Sequence, residues 1–237
     1  NQGLVAYPYV ETTTAPVAGG ILEDMPRLDY SNGSCPSLLL EPSRTNFNSH
    51  SEYIKGAGIL SAVDYDTNTA ISPEGYQNAS TLIVGVDSSS TRHRHLLPLS
   101  VTANQKYVLS GYFHENEAQW IQLLAQTSFG AFSVSVWANF DVQNGVIGRV
   151  GDDNVDEGIE PMGNGWYRCW IVAEALVTSG SSYMEILTTN NLDSGRYPSY
   201  QNLVSTNYID CYGLQLEEGS YPTSYIPTYG TSQTRLA

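Results

Sequence analysis

The stretch YVLSGYFHE, Tyr107–Glu115, decides the fold class. Leu109, Gly111 and Phe113 alternate with Ser110, Tyr112 and His114, the period of two that belongs to a β-strand. The first set is the more apolar and is expected to face a core. The second is expected to face outward or into a concave cleft. Working outward, strand-like runs recur in WIQLLAQ (Trp120–Gln126), AFSVSVWANFDV (Ala131–Val142), GWYRCWIVAEALV (Gly165–Val177), SYMEILTT (Ser182–Thr189) and NYIDCYGLQLE (Asn207–Glu217). Turn residues separate them: Asn144-Gly145, Gly163-Asn164-Gly165, and Ser179 to Ser182. Short strands at such intervals, with no amphipathic helix of normal length, predict an all-β, antiparallel sandwich of two sheets. SEYIKGAG (Ser51–Gly58) has room for one short turn.

The chain has 237 residues, 41% of them hydrophobic, enough for one large β domain. No apolar run is long enough to span a bilayer, and no cationic-then-apolar leader is present, so no membrane insertion is expected. Net charge is −14, with 24 acids against 10 lysines and arginines. Such a surface repels phosphate backbones, so no nucleic-acid partner is expected. Cys35, Cys169 and Cys211 have no CxxC spacing, and Cys169 and Cys211 read as small buried hydrophobes. Residues 1–27 read as an extended arm or linker, because VETTTAPVAGG lacks periodicity and carries Pro16 and the Gly19-Gly20 pair.

Three motifs are more specific: RLDYSNGSCPSLLLEPSRTNFN from Arg27, GNGWYRCWI from Gly163, and YGLQLEEGSYPTSYIPTYGTSQTR from Tyr212. Together they resemble a module of bacteriophage tail, fibre and other virion structural proteins, itself similar to jelly-roll carbohydrate-binding modules. The resemblance covers residues 28–237 and implies a jelly-roll β-sandwich there. In that family a tryptophan usually follows the LLLEPSRTN stretch; here only Tyr53 is available to replace it.

No catalytic constellation is visible. GDDNVDEG, from Gly151, imitates the start of an EF-hand, but Glu157 and Gly163 stand where the loop needs glycine and a bidentate acid. It reads as a solvated connection. His93 and His95 alternate with Arg92 and Arg94, and an exposed edge strand is their expected place. Sugar binding requires flat aromatics beside amide, hydroxyl or charged groups. The candidates are Tyr112, His114, Trp120, Gln122, Trp137, Arg168 and Trp170, with Trp120 and Trp137 readable either as platforms or as core anchors. Trp166 shares a face with Arg168 and Trp170, and the resemblance implies a packing role for it in the core. The resemblance also implies a structural calcium, with Asp210 as the matching acid; a hydrogen-bonded Asp without metal is the simpler account.

The expected function is that of a non-catalytic virion structural protein, a fibre or appendage subunit on the virion surface with a lectin-like domain. Its expected partners are other virion proteins, further copies of itself and a host cell-surface glycan. The alternatives are a purely architectural decoration protein and an accessory module of a polysaccharide depolymerase. In the final motif Pro222 and Pro227 stop any ladder, each lacking a backbone donor. Tyr221, Tyr225 and Ile226 are expected to plug one end of the sandwich.

Overall fold

The computed structural model describes residues 27–29 and 37–236, with side chains from Leu40 onward except Ser128. Of the expected arm, residues 1–27, all but Arg27 lie outside the described residues, as does Cys35. The chain divides into two units, Asn1–Glu41 and Pro42–Ala237, so the division falls inside the LLLEPSRTN motif. In the first unit β1 (Arg27–Asp29) pairs antiparallel with β2 (Ser37–Leu39).

The second unit is a jelly-roll β-sandwich. Its shorter elements are β3 (Arg44–Asn46), a 3-10 turn at Ile54–Gly56, β4 (Ile59–Ser61), β5 (Val63–Ala70) and β6 (Ala79–Val84). Then follow β7 (Arg94–Val101), β8 (Lys106–Glu115), β9 (Trp120–Ala125), β10 (Trp137–Asp141) and β11 (Val146–Val150). The last are β12 (Asp156–Gly163), β13 (Trp166–Glu174), β14 (Ser179–Thr188), β15 (Tyr208–Glu218) and β16 (Gln233–Arg235). One sheet of six has the order β12-β13-β8-β15-β6-β5, the other β11-β10-β9-β14-β7-β4. The chain passes from sheet to sheet between β6, β7, β8 and β9, and again between β13, β14 and β15. The central strands therefore stand in jelly-roll order, β13-β8-β15-β6 against β10-β9-β14-β7. Among the described residues no helix is long and apolar enough to cross a membrane.

The alternation of β8 is realised as expected on its apolar side. Leu109 and Phe113 join Cys169, Ile171, Cys211, Leu214 and Leu216 in the core, facing Ile121, Leu123, Phe140, Met184 and Ile186 of the other sheet. Burying side chains of this size stabilises the fold by about 1.5–3 kcal/mol each. Burial also pushes the thiols of Cys169 and Cys211 up. Gly111 sits where a Cβ would lie 2.6 Å from Leu214 Cδ2. Gly111→Ala overpacks this point and is expected to lower stability by about 1–3 kcal/mol in denaturant titrations; an unchanged midpoint would show that the leucine moves aside freely.

Two expectations fail here. His95, in β7 between β14 and β4, and His93, just before that strand, are fully buried rather than on an exposed edge. His93 Nε2 is 2.7 Å from Asp87 Oδ2. His95 Nε2 donates to the Ala57 carbonyl, leaving Nδ1 to accept from the Tyr65 hydroxyl at 3.0 Å. Burial lowers the His95 pKa to about 4, so the ring stays neutral. Tyr53 likewise takes no core position: its ring is exposed and meets His50 edge-on.

Candidate functional site

The seven residues expected to contact sugar do not form one site. They divide between the outer faces of the two sheets, with the core between them.

Tyr112, His114, Arg168 and Trp170 lie on the outer face of the β8 sheet. Pairing aligns Trp166, His114, Asp210 and Thr81 in one row, and Arg168, Tyr112 and Tyr212 in the next. This face is covered by the chain's own C-terminal segment. Arg168 donates to Thr223 O at 2.6 Å and to Ser110 Oγ at 3.1 Å, and its guanidinium lies 5.4 Å from the Tyr112 ring centroid. Tyr225 meets Tyr112 edge-on at 6.1 Å. Tyr112 and Arg168 are therefore buried and present no open surface. His114 is half-buried and packs against Trp166, which is itself buried and donates to Ile71 O. Trp170, half-buried, lies flat over Gly158, where a Cβ would come within 1.9 Å of the indole, and donates to Asp156 at 3.0 Å. Gly158→Ala is expected to lift this indole and red-shift its fluorescence; an unshifted spectrum would show that the indole does not rest on the glycine.

The closing segment thus lies over a sheet face instead of plugging the sandwich end. Gln215 and Glu217 point outward from β15 and hold it. Glu217 accepts from Thr223 N (2.8 Å), Thr223 Oγ1 (2.6 Å) and Gln215 Nε2 (2.9 Å), while Gln215 Oε1 accepts from Ile226 N (2.8 Å). Asn46 donates to Ile226 O, and β3 pairs with β16. Tyr225 is half-buried, donating to Glu52 at 2.6 Å, and Ile226 is buried. Tyr221 stays exposed beside Arg44.

Asp210 accepts from Thr81 Oγ1 at 2.6 Å and from Asn116 Nδ2 at 3.3 Å, and lies 3.7 Å from His114 Nδ1. These groups present hydrogen-bond donors, whereas calcium takes six to eight oxygen ligands. They do not fit calcium at Asp210. Among the described residues no group of three or more His, Cys, Asp and Glu side chains gathers. The acidic connection at 151–158 is exposed at Asp152, Asp153 and Asp156, with Asn154 bonded to Trp137 O and to Glu157.

Trp120, Gln122 and Trp137 lie on the outer face of the β9 sheet, which is crossed by residues 189–200. Thr189 N bonds Trp120 O and Thr91 bridges Tyr200, which ties this loop down at both ends. Gln122 is fully buried: it donates to Asn139 and Gly195 O and accepts from Tyr197 N at 2.8 Å. Its amide holds the loop and has no surface to offer. Trp137 is 5% exposed, packed on Leu124 and Leu187 with the Arg149 guanidinium 5.7 Å above its ring. It is a core anchor of this face. Trp120 remains half-buried at the margin.

Around Tyr197 the structure gathers groups that the sequence reading did not select. Arg92, Arg196 and Arg94 place their guanidinium carbons 4.3, 5.0 and 5.3 Å from its ring centroid. Its hydroxyl accepts from Arg94 and donates to the buried carboxylate of Glu185 at 3.1 Å. Burial raises the Glu185 pKa to about 7, against the pull of Arg94, Arg196 and Arg92. Tyr197 has φ 65°, the left-handed region that a bulky residue enters at a cost of about 1–3 kcal/mol. The outward alternation of Arg92 and Arg94 is the one sequence signal for this cluster.

No family model matches the chain, and no curated protein matches it. Among solved structures it is similar to the enzymatically active domain of tailspike protein 4 from bacteriophage CBA120. The identity is 11% and the TM-score 0.37, over 73% of this chain and 21% of that one.

Proposed function

We infer that this chain is a non-catalytic module of a bacteriophage virion, a fibre or appendage subunit exposed on the particle, and that it contacts host-surface glycan through the outer face of the β9 sheet. The motif resemblance supplies the virion setting. The observation that carries the reading is the inequality of the two outer faces. One is covered by the chain's own C-terminal segment. The other, though crossed by residues 189–200, keeps Trp120 and Tyr197 half-buried and Arg92 and Arg149 exposed. Aromatic surface next to directional donors is what saccharides require. Support for a non-catalytic reading comes from the carboxylates of this face. Asp141 is engaged by Gln119, Gln143 and Asn144, and Glu185 lies beneath Tyr197, so neither is set as one of the two flanking acids of a glycosidase. Many copies on one particle would turn weak single sites into useful avidity. Retention of the protein on purified host polysaccharide tests this, with Trp120→Ala expected to weaken it. Absence of retention on every host glycan, with Trp120→Ala particles adsorbing normally, removes the reading.

An architectural role is favoured by a different observation. Phe129 (76% exposed), Leu176 (57%) and Val177 (41%) stand on loops joined by the Leu176 N–H to Ala131 O bond. Exposed apolar residues grouped in this way suit a subunit contact. In that case Leu176→Asp weakens particles without altering adsorption.

A further inference from the structure

The molecule carries −14 overall, yet four of its ten lysines and arginines, Arg92, Arg94, Arg149 and Arg196, stand on one sheet face. Arg94 opens β7, Arg92 lies two residues before it, and Arg196 comes from the covering loop. Arg149 comes from β11, whose backbone N–H bonds Leu192 O of the same loop. Glu185 is the one carboxylate within ion-pair distance of any of them among the described residues, 3.4 Å from Arg94. The guanidiniums of Arg92 and Arg149 have ring contacts and no hydrogen bond or ion pair among the described residues. The Nε atoms of Arg94 and Arg196 are buried without a hydrogen-bond partner. Three guanidiniums around one ring repel each other, and desolvation together with Arg92 lowers the pKa of Arg196. Contact with the ring face offsets only part of this repulsion. Tyr197, held in its left-handed conformation by Gln122, is the pivot about which this unbalanced charge is organised.

We propose that Arg92, Arg94 and Arg196 around Tyr197, with Arg149 over the neighbouring Trp137, form a binding site for an anionic glycan, whose carboxylate or phosphate groups the guanidiniums engage. The proposal rests on the glycan-binding reading and names its substrate class. Planar guanidinium forks match both kinds of oxyanion, and such charge-assisted bonds are stronger than neutral ones. Arg92 and Arg149 are exposed and supply the incoming contacts; Arg94 and Arg196, partly covered, set the field.

The test is calorimetric titration of the full chain with oligogalacturonate, its fully methyl-esterified form, and poly(glycerol phosphate). Binding of either anionic polymer, with at least tenfold weaker binding of the neutral ester, supports the site. The responding polymer tells carboxylate from phosphate. Arg92→Gln and Arg149→Gln are each expected to weaken binding about tenfold without changing thermal stability. Lys106→Gln, on the other sheet, leaves it unchanged. Affinity falls as salt rises, because exposed charges are screened beyond about 8 Å at physiological ionic strength. Equal binding of acid and ester overturns the proposal and leaves the glycan-binding reading standing. An equal loss in Lys106→Gln, or no loss in the two arginine variants, overturns the site. If none of the three ligands binds while host polysaccharide does, the anionic class is wrong; if host polysaccharide is not retained either, both readings fall.

Discussion

Glu217→Leu is expected to destabilise the protein by roughly 3–5 kcal/mol, the cost of removing one partner from a buried charged network. Glu217 is fully buried on the outer face of β15, where its two oxygens accept three bonds, two of them from Thr223. Arg44 Nε lies 3.9 Å away. Leucine fills much of the volume but leaves the Thr223 N–H, the Gln215 amide and Arg44 without their acceptor. In a domain of this size the loss corresponds to a fall in melting temperature on the order of 10 °C. The C-terminal segment should also open to chymotrypsin at Tyr225, now half-buried against Tyr112 and Tyr212. Glu217→Gln keeps one oxygen for Thr223 N and lets the threonine hydroxyl reverse its bond, so its cost is about 1 kcal/mol. Equal melting temperatures for Glu217→Leu and the parent protein would show that the carboxylate does not hold the segment.

The second large effect is in pH. Glu185 rises from an ordinary 4.5 to about 7, chiefly because burial disfavours its charge. The folded state therefore keeps a proton that the unfolded chain has already released. Its contribution is fully present below pH 4.5 and is lost as pH rises toward 7, about 3 kcal/mol at most. Glu185→Gln removes this slope and is relatively more stable than the parent at pH 8. Glu52 is also raised by burial and slopes in the same direction, so the readout is the difference between the two proteins. Identical pH profiles would mean that Glu185 is ionised in the folded state throughout.

Much of the sandwich was legible because strand alternation is a property of the local backbone. YVLSGYFHE and GWYRCWIV divide into faces that the register of β8 and β13 confirms residue by residue. The outward direction of Gln215 and Glu217 was legible for the same reason. Alternation separates two faces but does not say what covers the outer one. Tyr112 and Arg168 are candidates for sugar contact by residue type and alternation, yet a segment more than fifty residues downstream lies over them. Gln122 read as a donor for sugar, and its amide is consumed by a loop more than sixty residues later. His95 was misplaced because an imidazole with both nitrogens bonded is as acceptable inside as an apolar ring, and its partners Tyr65 and Ala57 are distant in sequence; His93 is buried beside Asp87.

The sequence by itself determined the strands, their two faces and the acidic balance, since each follows from side-chain chemistry and backbone geometry within a few residues. Only the tertiary structure decided which segment crosses each outer face and which arginines gather there. Arg92, Arg149 and Arg196 are far apart in the chain. They meet because β7 and β14 are neighbours in the sheet, β11 forms its edge, and the loop after β14 returns across the same face. Charge adds up through space, so a protein acidic along its length can still present one basic face.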